Sequence, residues 1–113
     1  IDPGPRLSEA LICGERFYTS GLVADDGIGP SVYLQTKDIL RQIDSLLQQN
    51  RTDKTRILKA NIWLADIGSF DEMNKAWDEW VVPDQTPVRA TVEAKLADPI
   101  YKVEIMFEAL LGD

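Results

Sequence analysis

Arg89 and Glu104 are the residues whose types and settings invite chemistry. They sit in the runs Pro87-Val88-Arg89-Ala90-Thr91-Val92 and Tyr101-Lys102-Val103-Glu104-Ile105. In the first, Val88, Ala90, Val92 and Ala94 alternate with Arg89, Thr91, Glu93 and Lys95. In the second, Tyr101, Val103, Ile105 and Phe107 alternate with Lys102, Glu104, Met106 and Glu108. Period two marks a strand with one buried face, so both apolar rows are expected inside. With Leu96 to Ile100 as an antiparallel connection, Arg89 and Glu104 share a face directly or diagonally. A guanidinium and a carboxylate are then within reach of one small ligand. Each residue also suits a plainer role, Arg89 as an ion-pair partner of Glu93 or Glu104, and Glu104 as a partner of Lys102 or Arg89.

The elements that must position this pair can be read along the chain. Ala10 to Ile12 and Arg16 to Val23 form a hairpin turning through Gly14-Glu15, and the polar loop Asp25 to Pro30 halts it. From Ser31 to Gln49, Val32, Ile39, Leu40, Ile43, Leu46 and Leu47 make the apolar stripe of an amphipathic helix. Leu58 to Ala65 returns to strand alternation. Ser69 with Glu72 three residues on reads as a capping box, followed by the stripe Met73, Trp77, Trp80 and Val81, and Pro83 ends this second helix. The order β-β-α-β-α-β-β predicts an α+β sheet with both helices on one face. Its other face carries Trp63, Thr91 and Met106, and must be solvated or covered by another subunit.

Composition narrows the functions. At 113 residues and 12.7 kDa, residues 1–113 form a single domain. A chain of this size buries roughly two-thirds of its unfolded surface. A formal charge of −7 and the lack of a basic run argue against nucleic acid as a partner. Histidine is absent, which removes His-dependent triads and His-containing zinc sites. The single Cys13 cannot form an intrachain disulfide and reads as a small packing residue at a strand end. With no signal peptide and no membrane-length apolar run, a cytoplasmic protein is expected.

Four segments together carry a resemblance: Tyr18-Thr19-Ser20-Gly21, Met73-Asn74-Lys75-Ala76-Trp77, Pro87-Val88-Arg89 and Val103-Glu104-Ile105. In order and approximate spacing they resemble the RidA family, also called YjgF or L-PSP, over nearly the whole chain. The Asn-Lys-Ala-Trp-Asp segment and the Tyr-Lys-Val-Glu-Ile strand are most similar to YoaB-like members. The resemblance implies a chorismate-mutase-like fold, assembly as a trimer around packed sheets, and ligand clefts between subunits.

It also implies site roles. The residue matching Arg89 binds the carboxylate of a small imino or enamino acid, and the residue matching Glu104 helps hold or activate the attacking water. Thr91 stands where many relatives carry cysteine, so thiol chemistry is not required there, and its backbone carbonyl can still orient the water. Ser20 and Gly21 fall at the cleft wall, and Asn74 lines the cleft. Trp77 is the weaker candidate, being an ordinary stripe residue. The N-terminal tyrosine of many relatives is missing. Arg6-Leu7-Ser8 stands in that region, so Arg6 is a candidate second contact to the anion.

The activity implied is hydrolytic deamination of reactive 2-imino or 2-enamino acids to 2-keto acids and ammonia, with no metal or cofactor. Orientation and electrostatics suffice in principle, because free imines already hydrolyse in water. Two alternatives stand beside it. One is a non-catalytic module that binds keto acids. The other is the endoribonuclease or translation inhibitor named in some family descriptions, which the charge and the missing histidine place last.

Overall fold

The computed structural model describes residues 1–112. Its elements are β1 (Ala10–Cys13), β2 (Arg16–Thr19), α1 (Val32–Gln49), β3 (Ile57–Leu64), α2 (Phe70–Trp80), β4 (Val88–Glu93) and β5 (Val103–Leu110), with short 3₁₀ turns before β3 and α2. The order is the expected β-β-α-β-α-β-β. Gly14 closes the β1–β2 hairpin at φ +61°, a left-handed conformation that glycine adopts without steric cost.

Both helices form on their expected stripes. Ser31 caps α1 by accepting a hydrogen bond from the Leu34 amide, and Ile39, Leu40, Ile43, Leu46 and Leu47 are buried along one side. In α2, Met73, Ala76 and Trp77 are buried. The capping box at Ser69 does not form. The 3₁₀ turn Ile67–Ser69 runs straight into α2 and leaves Ser69 at ψ 10°, not in the extended conformation that a capping side chain needs. Ser69 Oγ donates instead to the Asp66 carbonyl at 2.6 Å, and Glu72 reaches across to accept from the Tyr33 amide at 2.9 Å.

The five strands form one sheet in the order β1-β2-β5-β3-β4, with β3 and β4 parallel and the other pairs antiparallel. This corrects the expectation that Leu96 to Ile100 joins two neighbouring strands. β3 lies between β4 and β5. The cause is α2, which carries the chain back between β3 and β4 so that β4 adds parallel to β3 at the sheet edge.

Register then decides the faces. Ile57, Ala60, Ile62 and Leu64 of β3 and Val103, Ile105, Phe107 and Ala109 of β5 are buried with α1 and α2 in one core. Each large apolar side chain buried there contributes about 1.5–3 kcal/mol. Ala60 is opposite Arg89 and Ile62 opposite Thr91, so Arg89 and Thr91 lie on the helix side. Trp63 is opposite both Val92 and Glu104, so Glu104 lies on the other side.

Arg89 and Glu104 therefore occupy opposite faces, contrary to the sequence expectation, and Thr91 leaves the open face where it was expected. The apolar row of β4 is also turned the other way. Val88 is 68% and Val92 51% exposed on the open face, beside Trp63 and Met106. Alternation in β4 was legible, but which row meets the helices depends on pairing with β3. Cys13 is exposed rather than packed, because β1 is the other edge strand and pairs Cys13 with Arg16. Among the described residues, no helix is long and apolar enough to cross a membrane.

Candidate functional site

The helix-side edge of the sheet builds one cluster. Phe70, Asn74 and Trp77 stand at i, i+4 and i+7 of α2, one face of a helix, and that face meets Arg89 across the β3–α2–β4 crossover. Arg89 Nη1 donates to Asn74 Oδ1 at 2.7 Å. Its guanidinium carbon stands 5.1 Å from the Trp77 ring centroid and 5.7 Å from that of Phe70. Aromatic faces attract a guanidinium and hold its plane while leaving further N–H donors free.

Burial pushes the Arg89 guanidinium's pKa down, and Asp78 pulls the other way. It stays protonated at neutral pH. Among the described residues no carboxylate comes within ion-pair distance of it. The ion pairs with Glu93 or Glu104 that sequence alone allowed do not form. Glu93 accepts from the Ile67 amide instead. A half-buried cation that is held in place but not neutralised has N–H donors and charge with which to attract an anion. Two positions along β4 on the same face, Thr91 carries a buried hydroxyl with no hydrogen-bond partner.

A second cluster forms where β2 leaves the sheet. Pairing of β2 with β5 stops at Tyr18 opposite Glu108, and the Phe107 amide then donates to Thr19 Oγ1 at 3.0 Å. Thr19 in turn donates to the Ser20 carbonyl at 2.7 Å, and the chain rejoins β5 where Leu22 bridges Ile105. The side chain of Thr19 thus fills one rung of the ladder while Ser20 and Gly21 bow outward. Glu104 occupies the space this opens. A Cβ on Gly21 would fall 2.0 Å from Glu104 Oε2 and 2.8 Å from Cδ, so only glycine admits the carboxylate there.

Ser20, Gly21 and Arg6 line one cavity of about 660 Å³, together with Glu9 and Gln42. Burial, helped by the hydrogen bond that the protonated Glu9 carboxyl donates to Asp2 and by the charge of Asp2, raises the Glu9 carboxyl above its usual range. Glu104 forms no ion pair among the described residues, with Lys102 or with any other cation.

The chain therefore gathers its expected site residues into two groups. Arg89, Asn74 and Thr91 are on the helix side at the β4 edge, while Glu104 meets Gly21 beside the central strand β5, and Ser20, Gly21 and Arg6 line one cavity. Phe70 and the contact of Gly21 with Glu104 were missed from sequence. The i, i+4, i+7 spacing of Phe70, Asn74 and Trp77 was an available signal for the first. Nothing local signals the second. Gly21→Ala is expected to displace the Glu104 carboxylate while leaving the Arg89 cluster intact, measured by a crystal structure of the variant, since a Cβ 2.0 Å from a side-chain oxygen forces it to move.

A family model described as Endoribonuclease L-PSP matches residues 1–111. The chain belongs to the RidA/YjgF/L-PSP family. A RutC family protein of Haemophilus influenzae is 48% identical over 109 residues, covering 96% of this chain and 94% of the relative. The RutC family protein YoaB of Escherichia coli is 42% identical over 109 residues, with the same coverage. A crystal structure of a YjgF-family protein from Neisseria meningitidis superposes with a TM-score of 0.93 at 42% identity, covering 99% of this chain and 92% of that one. A more distant relative, Reactive Intermediate Deaminase A, chloroplastic, of Arabidopsis thaliana, is 28% identical over 107 residues, 90% of this chain and 56% of the relative. The YjgF fold expected from the sequence is the fold observed.

Proposed function

We propose that this RidA-family chain is a cofactor-free hydrolase that converts reactive 2-imino and 2-enamino acids to 2-keto acids and ammonia, in clefts completed between copies of a homotrimer. The observation that carries the proposal is the unpaired guanidinium of Arg89, held by Asn74 and two aromatic rings. The name of the Arabidopsis relative supports the reaction class. The lack of histidine and the net charge of −7 weigh against RNA cleavage.

Arg89 grips the substrate carboxylate with the N–H groups that Asn74 leaves free, a geometry lysine cannot reproduce. Water held by Glu104 and by the Thr91 carbonyl adds to C2 of the imine. Glu104 takes a proton from that water and returns it to the nitrogen, giving a carbinolamine; it then carries a second proton from the new hydroxyl to the amine, the C2–N bond breaks as the C=O forms, and ammonia leaves a 2-keto acid. Arg89 and Glu104 face opposite ways on one sheet, so the cleft combines the Arg89 group of one copy with the Glu104, Gly21 and Ser20 group of the next. The outward row of Val88, Ala90 and Val92 favours such packing, since bare it exposes a broad apolar patch. Closed cyclic symmetry makes the clefts equivalent.

The test is a coupled assay in which threonine dehydratase or an amino-acid oxidase generates a panel of imines and clearance is followed with and without the protein. Faster clearance supports the proposal, and equal clearance across the panel refutes catalysis. In the same assay Glu104→Gln is expected to slow turnover about 10²-fold while calorimetry shows a keto acid still bound through Arg89, because the amide keeps the size and loses the basicity. Parallel losses of binding and turnover would remove Glu104 from the chemistry.

A further inference from the structure

Glycine follows aspartate at a single step of the chain, Asp26-Gly27, in the loop between the Leu22 bridge and α1. An aspartyl side chain and the nitrogen of the next residue can close a five-membered ring, and glycine, lacking a Cβ, leaves that nitrogen open to approach. In a folded chain the ring forms only where the structure leaves both groups untied.

Here both are untied. Asp26 and Gly27 are exposed in a turn. The bonds that anchor the loop pass on either side of them: the Asp25 amide donates to Asp38 Oδ2 at 2.8 Å, and Gln35 Nε2 donates to the Gly29 carbonyl at 2.9 Å. Among the described residues, the Gly27 amide takes part in no turn or loop hydrogen bond and the Asp26 carboxylate in no ion pair. Gly27 lies at φ +90°, with nothing within 4 Å of where a Cβ would stand.

The other described aspartates are each held back from ring closure. Asp2 and Asp98 precede proline, whose nitrogen carries no proton. Asp38, Asp44, Asp71 and Asp78 lie in helices, where closure would have to unwind the backbone. Asp53 and Asp66 accept from the Thr55 and Gly68 amides at 2.8 Å. Asp25 pairs with Arg41 at 3.0 Å, and the Gln85 amide that follows Asp84 donates to the Val82 carbonyl at 3.1 Å.

We propose that Asp26 is a site of spontaneous isomerisation to isoaspartate. The Gly27 nitrogen attacks Asp26 Cγ, the new C–N bond closes a succinimide, and the Cγ hydroxyl leaves with the amide proton as water. Water then opens the ring at one of its two carbonyls. Attack at Cγ restores aspartate, whereas attack at the Asp26 main-chain carbonyl carbon leaves the chain running through Cβ and Cγ, with a free carboxylate on Cα. That carboxylate makes the aged chain a substrate for the class of methyltransferase that moves a methyl group from the sulfonium of S-adenosylmethionine to isoaspartyl oxygen.

The intact chain aged folded at neutral pH, and the same chain aged unfolded in guanidinium, provide the test. Electron-transfer fragmentation of the peptide carrying Asp26 distinguishes the isomers, and an isoaspartyl methyltransferase with labelled S-adenosylmethionine counts the product. The folded chain is expected to gain isoaspartate at Asp26 and at no other described aspartate, at a rate within about tenfold of the unfolded chain, because no internal bond must break first. Asp26→Glu, whose longer side chain would need a six-membered ring, should take up no label. Absence of isoaspartate from the folded parent overturns the proposal whether or not the unfolded chain forms it, and labelling that persists in Asp26→Glu overturns it by placing the reaction elsewhere.

Discussion

Arg89→Lys is expected to abolish most keto-acid binding and imine turnover, at a cost of roughly 2–5 kcal/mol, while leaving the assembly intact. The substitution keeps the charge and removes the geometry. Arg89 spends one N–H on Asn74 Oδ1 at 2.7 Å and lies 5.1 Å from the Trp77 ring and 5.7 Å from that of Phe70, so its plane and its free donors are set before a ligand arrives. An ammonium on a flexible stem can make one of those contacts at a time, and it loses the bidentate match to a carboxylate. The fold should tolerate the change, because Arg89 sits on an edge strand and forms no internal ion pair among the described residues. Calorimetry with 2-oxobutanoate, the coupled assay and sedimentation read the three quantities separately. Parent-like turnover in Arg89→Lys would make the arginine structural.

Val92→Glu should convert a trimer to monomers and lose turnover with it. Val92 is 51% exposed beside Trp63 on the open face, so the isolated chain has no reason to unfold when it carries a carboxylate there. In a packed interface the same carboxylate is an unpaired buried charge, costing several kcal/mol for each copy. Sedimentation at micromolar concentration should show the parent near three times 12.7 kDa and the variant near the monomer mass. Turnover is expected to depend on assembly, because Arg89 and Glu104 lie on opposite faces of one sheet. A monomeric parent would sink both the trimer and the shared cleft, and a variant that stays trimeric would move the interface elsewhere.

The elements themselves were legible because their signals are local. Apolar spacing alone determines that Ser31 to Gln49 coils and that Val88 to Glu93 extends, and Gly14 marks the hairpin without reference to any distant residue. Arg89 could be singled out on the same terms, as a cation alternating into a strand. The i, i+4, i+7 trio of Phe70, Asn74 and Trp77 was equally local, although only contact with Arg89 gives it meaning.

Tertiary structure alone decided which way each strand faces. A period-two pattern reads the same whether Val88, Ala90 and Val92 or Arg89, Thr91 and Glu93 meet the helices, and the choice was made by β4 pairing parallel to β3 at the edge. The same pairing separated Arg89 from Glu104 by inserting β3 between their strands. The space for Glu104 depends on Gly21, which comes from the opposite end of the chain, and on Thr19 replacing a backbone rung. Such contacts have no sequence period, because the residues that make them become neighbours only when the sheet closes.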